Sequence, residues 1–400
     1  MQIMGVNYCD FCFSPLEAGQ SCSVCGLTHE NYKASAGLLK PGTNLLGKYI
    51  IGRVLGRGGF GATYVAFSAE RRMPVAIKEF FPTGIVCRDK DDERVNIVSK
   101  NEVDAFQKGA ARFFEEAQTI SKFNMVRNVV SVYEFFQANN TAYYAMEYLD
   151  GIDLKGYAAK KGGRITPEEA VTVLHSVCEA LVSVHSTGTL HRDISPDNIF
   201  ISTDGTVKLI DFGAAKQVIS EHSQNLSVIL KQGFAPLEQY KKDGNQGMWT
   251  DIYALGATIY YSLTGKILDD PMSRLENPDI TFDPSLNIPQ GLVDIINKCL
   301  KVRIEDRYHS AMEVLEAISH LNIEFAHLGN GYTQEIYNGV ASPVMADGIG
   351  MKFDNNMATN YYMPAEMPVQ QDNSGLMKGI IAAACTVVLL VIAIIVVSQL

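Results

Sequence analysis

The chain has 400 residues and a net charge of −10, with 47% hydrophobic and 20% charged side chains. That balance is ordinary for a globular protein and excludes wholesale disorder; the acidic charge and the lack of a long basic run argue against nucleic acid as the main partner. Of eight cysteines, four fall within the first 25 residues, while Cys87, Cys178, Cys299 and Cys385 are scattered singly. This is not a disulfide framework, and it suits a reduced, intracellular setting. The N-terminus lacks the charged and apolar regions of a signal peptide.

Cys9-x-x-Cys12 and Cys22-x-x-Cys25 are separated by nine residues. Two such pairs suit tetrahedral Zn²⁺, each forming a tight knuckle, with redox cysteines or chance pairing as the alternatives. Residues 1–31 are therefore expected to form a zinc ribbon, which resembles short ribbons at the start of many bacterial proteins. A segment this short cannot build a core, so the metal would supply most of its folding energy. Residues 32–48, with Gly37, Pro41 and Gly42, read as a linker.

Gly56-Arg57-Gly58-Gly59-Phe60-Gly61 matches G-x-G-x-x-G, a weak signal that a dinucleotide-binding turn shares. Here β-branched and aromatic residues follow, Thr63 to Phe67, so a strand leaves the loop and the loop is a hairpin cover. Val75-Ala76-Ile77-Lys78 ends an apolar strand on a lysine, whose charge needs a partner if buried. The partner is expected from a helix over 105–123, where Phe113, Ala117, Ile120 and Asn124 mark one face and Glu115 and Glu116 lie within it. Tyr143 to Leu149 reads as a strand entering a linker. Thr166-Pro167-Glu168-Glu169 starts a helix with a capping box, and Gly188 suits its end.

Residues 191–213 read HRDISPDNIFISTDGTVKLIDFG. Asp204-Gly205 is a strong two-residue hairpin signal. Such a loop would set Asn198 directly opposite Asp211, with Asp193 just upstream. Two oxygen ligands and a nearby carboxylate base suit a magnesium-nucleotide site.

H-R-D-x-x-x-x-N followed by D-F-G resembles the catalytic signature of protein kinases, and the other parts fall in the expected order over 49–321. The chain is most similar to bacterial serine/threonine kinases carrying an N-terminal zinc ribbon. The resemblance implies an α+β bilobal fold with a small β-rich N-lobe and a large helical C-lobe, binding ATP between them. Leu55, Gly56, Gly58, Gly59, Gly61, Thr63 (where the pattern has Val), Ala76 and Lys78 would line the nucleotide site. Met146 would be the gatekeeper, Glu147 and Leu149 would offer backbone groups to adenine, and Asp153 would meet the ribose. Glu116 fits the Lys78 partner better than Glu115. Asn198 and Asp211 would bind Mg²⁺, and Asp193 would accept the proton of a protein hydroxyl. His191 would pack rather than react.

By the same resemblance, Ala235-Pro236-Leu237-Glu238 matches A-P-E with one extra residue, and Arg307 is expected to pair with Glu238. Asp251 to Gly256 would open a buried central helix, and the insertion 79–104, opening Glu79-Phe80-Phe81-Pro82, resembles a bacterial branch of the family. Ser220, Ser223 and Ser227 lie in the expected activation loop, where autophosphorylation within a homodimer would pair a phosphate with Arg192. One departure stands out: Ser195 occupies the place of the lysine that serine/threonine kinases carry, and Asp197 fills the place of the arginine tyrosine kinases use. Counting back from Glu238, Lys231 falls where a threonine is expected, so Lys231 is expected to supply the missing charge. The rival class is a pseudokinase, a membrane-held binding scaffold.

Residues 322–378 lose periodicity and read as a disordered linker. Ile380 to Val397 is an uncharged run of 18 residues, about 27 Å as a helix and enough to cross a bilayer. Residues 379–397 are thus expected to be a transmembrane helix, with Lys378 and the ATP-using domain on the cytoplasmic side of the cell membrane.

Overall fold

The computed structural model describes residues 2–3, 6–16, 22–33, 35–90, 92–212, 232–241, 244–276, 280–326 and 328. Three short antiparallel strands begin the chain, β1 (Gln2–Ile3), β2 (Val6–Tyr8) and β3 (Pro15–Leu16). Around them Cys9, Phe11, Cys12 and Cys22 form a small buried cluster with Leu16, Leu27 and Tyr32.

A six-stranded antiparallel sheet follows, comprising β4 (Asn44–Leu45), β5 (Tyr49–Arg57), β6 (Gly61–Ser68), β7 (Met73–Phe80), and, after an insertion and a helix, β10 (Val132–Ala138) and β11 (Thr141–Glu147). Its order is β10-β11-β7-β6-β5-β4. The stretch 32–48 is not the loose linker its Gly and Pro content suggests. Leu38, Leu39 and Leu45 are buried, β4 pairs with β5, and Leu39 N–H donates to Tyr64 OH at 3.3 Å. Burying three leucines stabilises the docked form by about 1.5–3 kcal/mol each, which outweighs the flexible spacers.

The cysteine ribbon is docked on this sheet. Phe13, in the left-handed region at φ 59°, buries its ring against Val65 and Phe67. Arg53 N–H donates to Phe11 O at 2.8 Å. A Cβ at Gly52 would sit 2.5 Å from Phe11 O, so this approach requires glycine.

The insertion forms a short hairpin, β8 (Val86–Cys87) with β9 (Asn96–Ile97), ahead of α1 (Val103–Ser121). Helix α1 turns Phe106, Phe113, Ala117 and Ile120 inward, with Phe80 ringed by Phe106 and Phe113 at 5.4 and 5.6 Å.

The helical part is built on α2 (Leu154–Lys160), α3 (Pro167–His185), α4 (Met248–Thr264), α5 (Gln290–Cys299) and α6 (Ala311–Ser319), with a small sheet of β12 (Gly151–Asp153), β13 (Ile199–Ser202) and β14 (Val207–Leu209). Helix α3 starts on the Thr166–Glu169 capping box. Helix α4 is buried along most of its length and stops at Gly265, φ 70°.

The β13–β14 hairpin departs from the two-residue loop. Ile201 pairs with Val207 and Ser202 N–H reaches Thr206 O at 2.9 Å, leaving three loop residues, Thr203 to Gly205. Gly205 alone takes positive φ, 84°, while the Asp204 side chain accepts from Thr206 N–H; this is a turn followed by a left-handed glycine. The register therefore shifts by one, and Asn198 O accepts from Ile210 N–H rather than facing Asp211.

Packed structure continues past Leu321. Ala326 N–H donates to Thr172 Oγ1 at 2.9 Å, Phe325 meets His175 edge-on, and Leu328 is buried. The opening of the stretch expected to be disordered is thus folded back on α3. Among the described residues no helix is long and apolar enough to cross a membrane; the apolar run 380–397 lies outside the described residues.

Candidate active site

Lys78 emerges near the end of β7, between Thr63 on β6 and Tyr144 on β11. Its Nζ lies 2.5 Å from Asp211 Oδ1 and 3.8 Å from Glu116 Oε1. Burial alone would lower the ammonium; the charges of Asp211 and Glu116 outweigh it and hold it well above the ordinary lysine value. Glu116 is buried on the inward face of α1, whereas Glu115 points outward to Arg112 at 2.9 Å.

Asp211 takes the left-handed region, φ 56°. This turns its carboxylate to Lys78 while Phe212 inserts between His191, 4.5 Å between centroids, and Phe123, stacked at 6.2 Å. His191 Nε2 is 3.2 Å from Ile210 O, and Nδ1 accepts from Asp193 N–H at 3.3 Å. The histidine thus packs and bridges the two ends of the loop.

Asn198 Nδ2 donates to Asp193 O at 2.7 Å and to Asp193 Oδ2 at 2.5 Å. That orients the Asp193 carboxylate and turns the amide oxygen of Asn198 away from it. From below, Asp251 accepts the N–H groups of His191 and Arg192 at 2.9 and 2.7 Å, and His185 Nε2 at 2.8 Å. Arg192 sits at φ 65°. Gln239 Nε2 reaches Arg192 O at 3.0 Å, and neighbouring Glu238 is locked to Arg307 at 2.8 Å.

The glycine loop joins β5 to β6, with Gly58 N–H on Gly61 O at 2.9 Å. A Cβ at Gly61 would fall 2.3 Å from Glu79 O. Gly56 pairs with Thr63, and Ala76 faces both Val65 and Met146 across the sheet. Leu55 is exposed at the loop's entry. Glu147 N–H donates to Ser131 O, and its carboxylate binds Lys208 Nζ at 2.8 Å, tying the strand's end to the β13–β14 hairpin. Leu149 is partly buried, and Asp153 Oδ1 caps α2 through Gly156 N–H. Ser195 is buried. Lys231, Ser220, Ser223 and Ser227 lie outside the described residues.

Three participants escaped sequence reasoning. Tyr144 lies opposite Lys78, with its ring 5.6 Å from Nζ; strand register, which puts it there, is not readable from one strand. Lys208 carries no local signal, because its partner Glu147 comes from β11. Lys155 Nζ lies 3.2 Å from Asp197 Oδ1, bringing a cation to the loop that carries Asp193.

In the ribbon, Cys9 and Cys25 sulfurs are 3.6 Å apart and those of Cys12 and Cys22 3.5 Å, all four within 4.8 Å. Phe11 N–H donates to Cys9 Sγ at 3.4 Å. A tetrahedron with Zn–S near 2.3 Å needs S···S of about 3.8 Å, so the four cysteine sulfurs fit that ion.

A glycine loop over a lysine, facing a helical lobe that carries Asp193, Asn198 and Asp211, defines a phosphate-handling cleft between two lobes. The family model described as "Protein kinase domain" matches residues 49–318, and the chain belongs to that family. It is similar to serine/threonine-protein kinase F of Synechocystis sp., 33% identical over 282 residues, covering 69% of this chain and 55% of that protein. It is also similar to serine/threonine-protein kinase PrkC of Bacillus subtilis, 30% identical over 278 residues, covering 67% and 39%. A solved structure titled "PpkA-294 apo form" matches at a TM-score of 0.65 and 29% identity, covering 71% of this chain and all of that one. The chain spans about half the length, or less, of these two relatives.

Proposed function

We propose that this chain is an ATP-dependent serine/threonine protein kinase acting on protein hydroxyls. The observation that carries the reading is the assembled set of Glu116, Lys78 and Asp211 within salt-bridge distance, beside the hydrogen-bonded pair Asp193–Asn198. In this reading Lys78 holds the nucleotide phosphates and Glu116 fixes Lys78. Asp193 orients the attacking hydroxyl and takes its proton. The amide oxygen of Asn198 and the carboxylate of Asp211 would hold Mg²⁺, a hard cation that takes few protein oxygens and neutralises phosphate charge. Glycine backbone covers the phosphates, and Met146, Glu147, Leu149 and Asp153 frame the adenine and ribose.

The observation on the side of a non-catalytic scaffold is Ser195, which leaves the loop without its usual cation. We assign that role to Lys231. The four cysteines would hold one structural Zn²⁺, and residues 379–397 would anchor the chain in the cell membrane with the kinase domain cytoplasmic; fractionation of a chain ending at Lys378 tests the anchor, which fails if that chain still pellets with membranes. The kinase reading is tested by incubating the full chain with labelled ATP, Mg²⁺ and a generic protein substrate. Label on serine or threonine is expected; label on tyrosine alone, or none, would sink it.

A further inference from the structure

The glycine loop does not hang from β5 and β6 alone. The β6–β7 ladder, whose last strand pair is Gly61 with Phe80, continues onto the loop's tip. Phe81 N–H donates to Phe60 O at 3.0 Å, and Thr83 N–H donates to Gly59 O at 2.8 Å. Both are of ordinary hydrogen-bond length, and both donors belong to the start of the insertion.

The first of these donors is itself held. The Phe81 ring is buried near two guanidinium groups, Arg88 at 5.1 Å and Arg57, within the glycine motif, at 5.8 Å. Arg88 pairs with the fully buried Glu79 and donates to Gly37 O at 2.9 Å and Glu93 O at 2.8 Å. Glu79 also accepts Tyr64 OH at 2.7 Å and Tyr143 OH at 2.5 Å. One arginine thus joins the docked 32–48 stretch, the insertion and the residue next to Lys78. Leaving Glu79 without it would strand a buried charge, so the arrangement resists slow loosening.

We propose that Phe81 to Thr83, fixed by Arg88, latch the tip of the glycine loop and so set how tightly the chain grips the phosphates of its nucleotide. This rests on the kinase reading above. Arg88 and Phe81 are positioning residues: Phe81 N–H bonds the loop, and Arg88 acts on it through the Phe81 ring. Because the latch acts at the loop tip, its loss weakens the phosphate-dependent part of binding and leaves adenine and ribose recognition alone.

The test compares Kd for ATP·Mg and for adenosine, which lacks phosphates, on the full chain. Thr83→Pro removes the N–H that reaches Gly59 O without touching the buried Glu79–Arg88 pair. Loss of one such bond is expected to weaken ATP about fivefold and to raise KM for ATP alike, with adenosine unchanged. Phe81→Leu, which keeps apolar volume but removes the ring that meets both Arg57 and Arg88, is expected to do the same and serves if Thr83→Pro does not fold. An unchanged ratio of ATP to adenosine affinity in a folded variant overturns the latch. Failure of the unaltered chain to bind ATP would overturn the nucleotide reading and the latch with it.

Discussion

Glu116 Oε1 lies 3.8 Å from Lys78 Nζ, while the adjacent Glu115 turns outward to Arg112. One residue of helical phase, about 100°, decides which carboxylate enters the cleft. Glu116→Gln is therefore expected to lower kcat on the order of 10²-fold, the usual effect of losing one preorganised charge contact. Glu115→Gln should stay within about twofold, since exposed helix pairs are worth little. Steady-state kinetics that found the two variants alike would remove Glu116 from the mechanism.

Asp251 gives the catalytic loop its footing, and that footing has a pH limit. Burial alone would raise its carboxyl; hydrogen bonds from His185 and the His191 N–H, with the nearby histidines, outweigh burial and hold it below the ordinary aspartate value. A depressed carboxylate contributes stability that is complete above its unfolded value and is lost as pH falls through its folded value. The unaltered chain should thus lose this contribution below about pH 4. Asp251→Asn should show a shallower fall of Tm between about pH 5 and pH 3, with a lower Tm at neutral pH because one donor loses its acceptor, about 1–3 kcal/mol. Parallel acid limbs in the two proteins would contradict a depressed Asp251 carboxyl.

The ribbon makes a separate prediction. Purified chain should carry one zinc, and chelation should unfold residues 1–31, since a metal at the four cysteines would supply most of the folding energy of so short a segment. Phe13 would then leave Val65 and Phe67, and tryptic cleavage after exposed Lys33 should quicken. Gly52→Ala should quicken the same cleavage with zinc still bound, because its Cβ would sit 2.5 Å from Phe11 O. Zinc-free protein with unchanged cleavage would dispose of the metal role.

The substitution at Ser195 calls for a cation, and two lysines compete. Lys231→Ala is expected to lower kcat on the order of 10²-fold while barely changing ATP affinity, and Ser195→Lys with Lys231→Thr should recover much of the loss. Lys155, 3.2 Å from Asp197, is the control. If Lys155→Ala produces the loss and Lys231→Ala does not, the charge comes from α2 instead.

Much of the fold and the site is legible in the sequence, but unevenly. Helix α3 can be placed from Thr166, Pro167 and Glu169 because caps are local chemistry. The family's loop motifs are local as well, and the structure pairs Lys78 with Asp211 and Asn198 with Asp193, though not in the opposed register that a two-residue loop implies. The hairpin register is misplaced by one, because Asp-Gly suits a two-residue loop and a three-residue loop almost equally, and only pairing at Ile201–Val207 decides. The 32–48 stretch looks like a spacer because Gly and Pro mask Leu38, Leu39 and Leu45, whose burial depends on a surface supplied by other strands. The Glu79–Arg88 pair and the seat of Phe13 on Val65 and Phe67 are long-range packing with no local signal.

The central claim, that Asp193 serves as the base of an ATP-using phosphotransferase, is tested most directly by the rate of phosphoryl transfer from labelled ATP by the full chain and by Asp193→Asn. The account predicts transfer by the unaltered chain and a loss on the order of 10²–10⁴-fold in the variant, with ATP·Mg binding retained. Equal rates in the two proteins, or no transfer by the unaltered chain despite ATP binding, would contradict it.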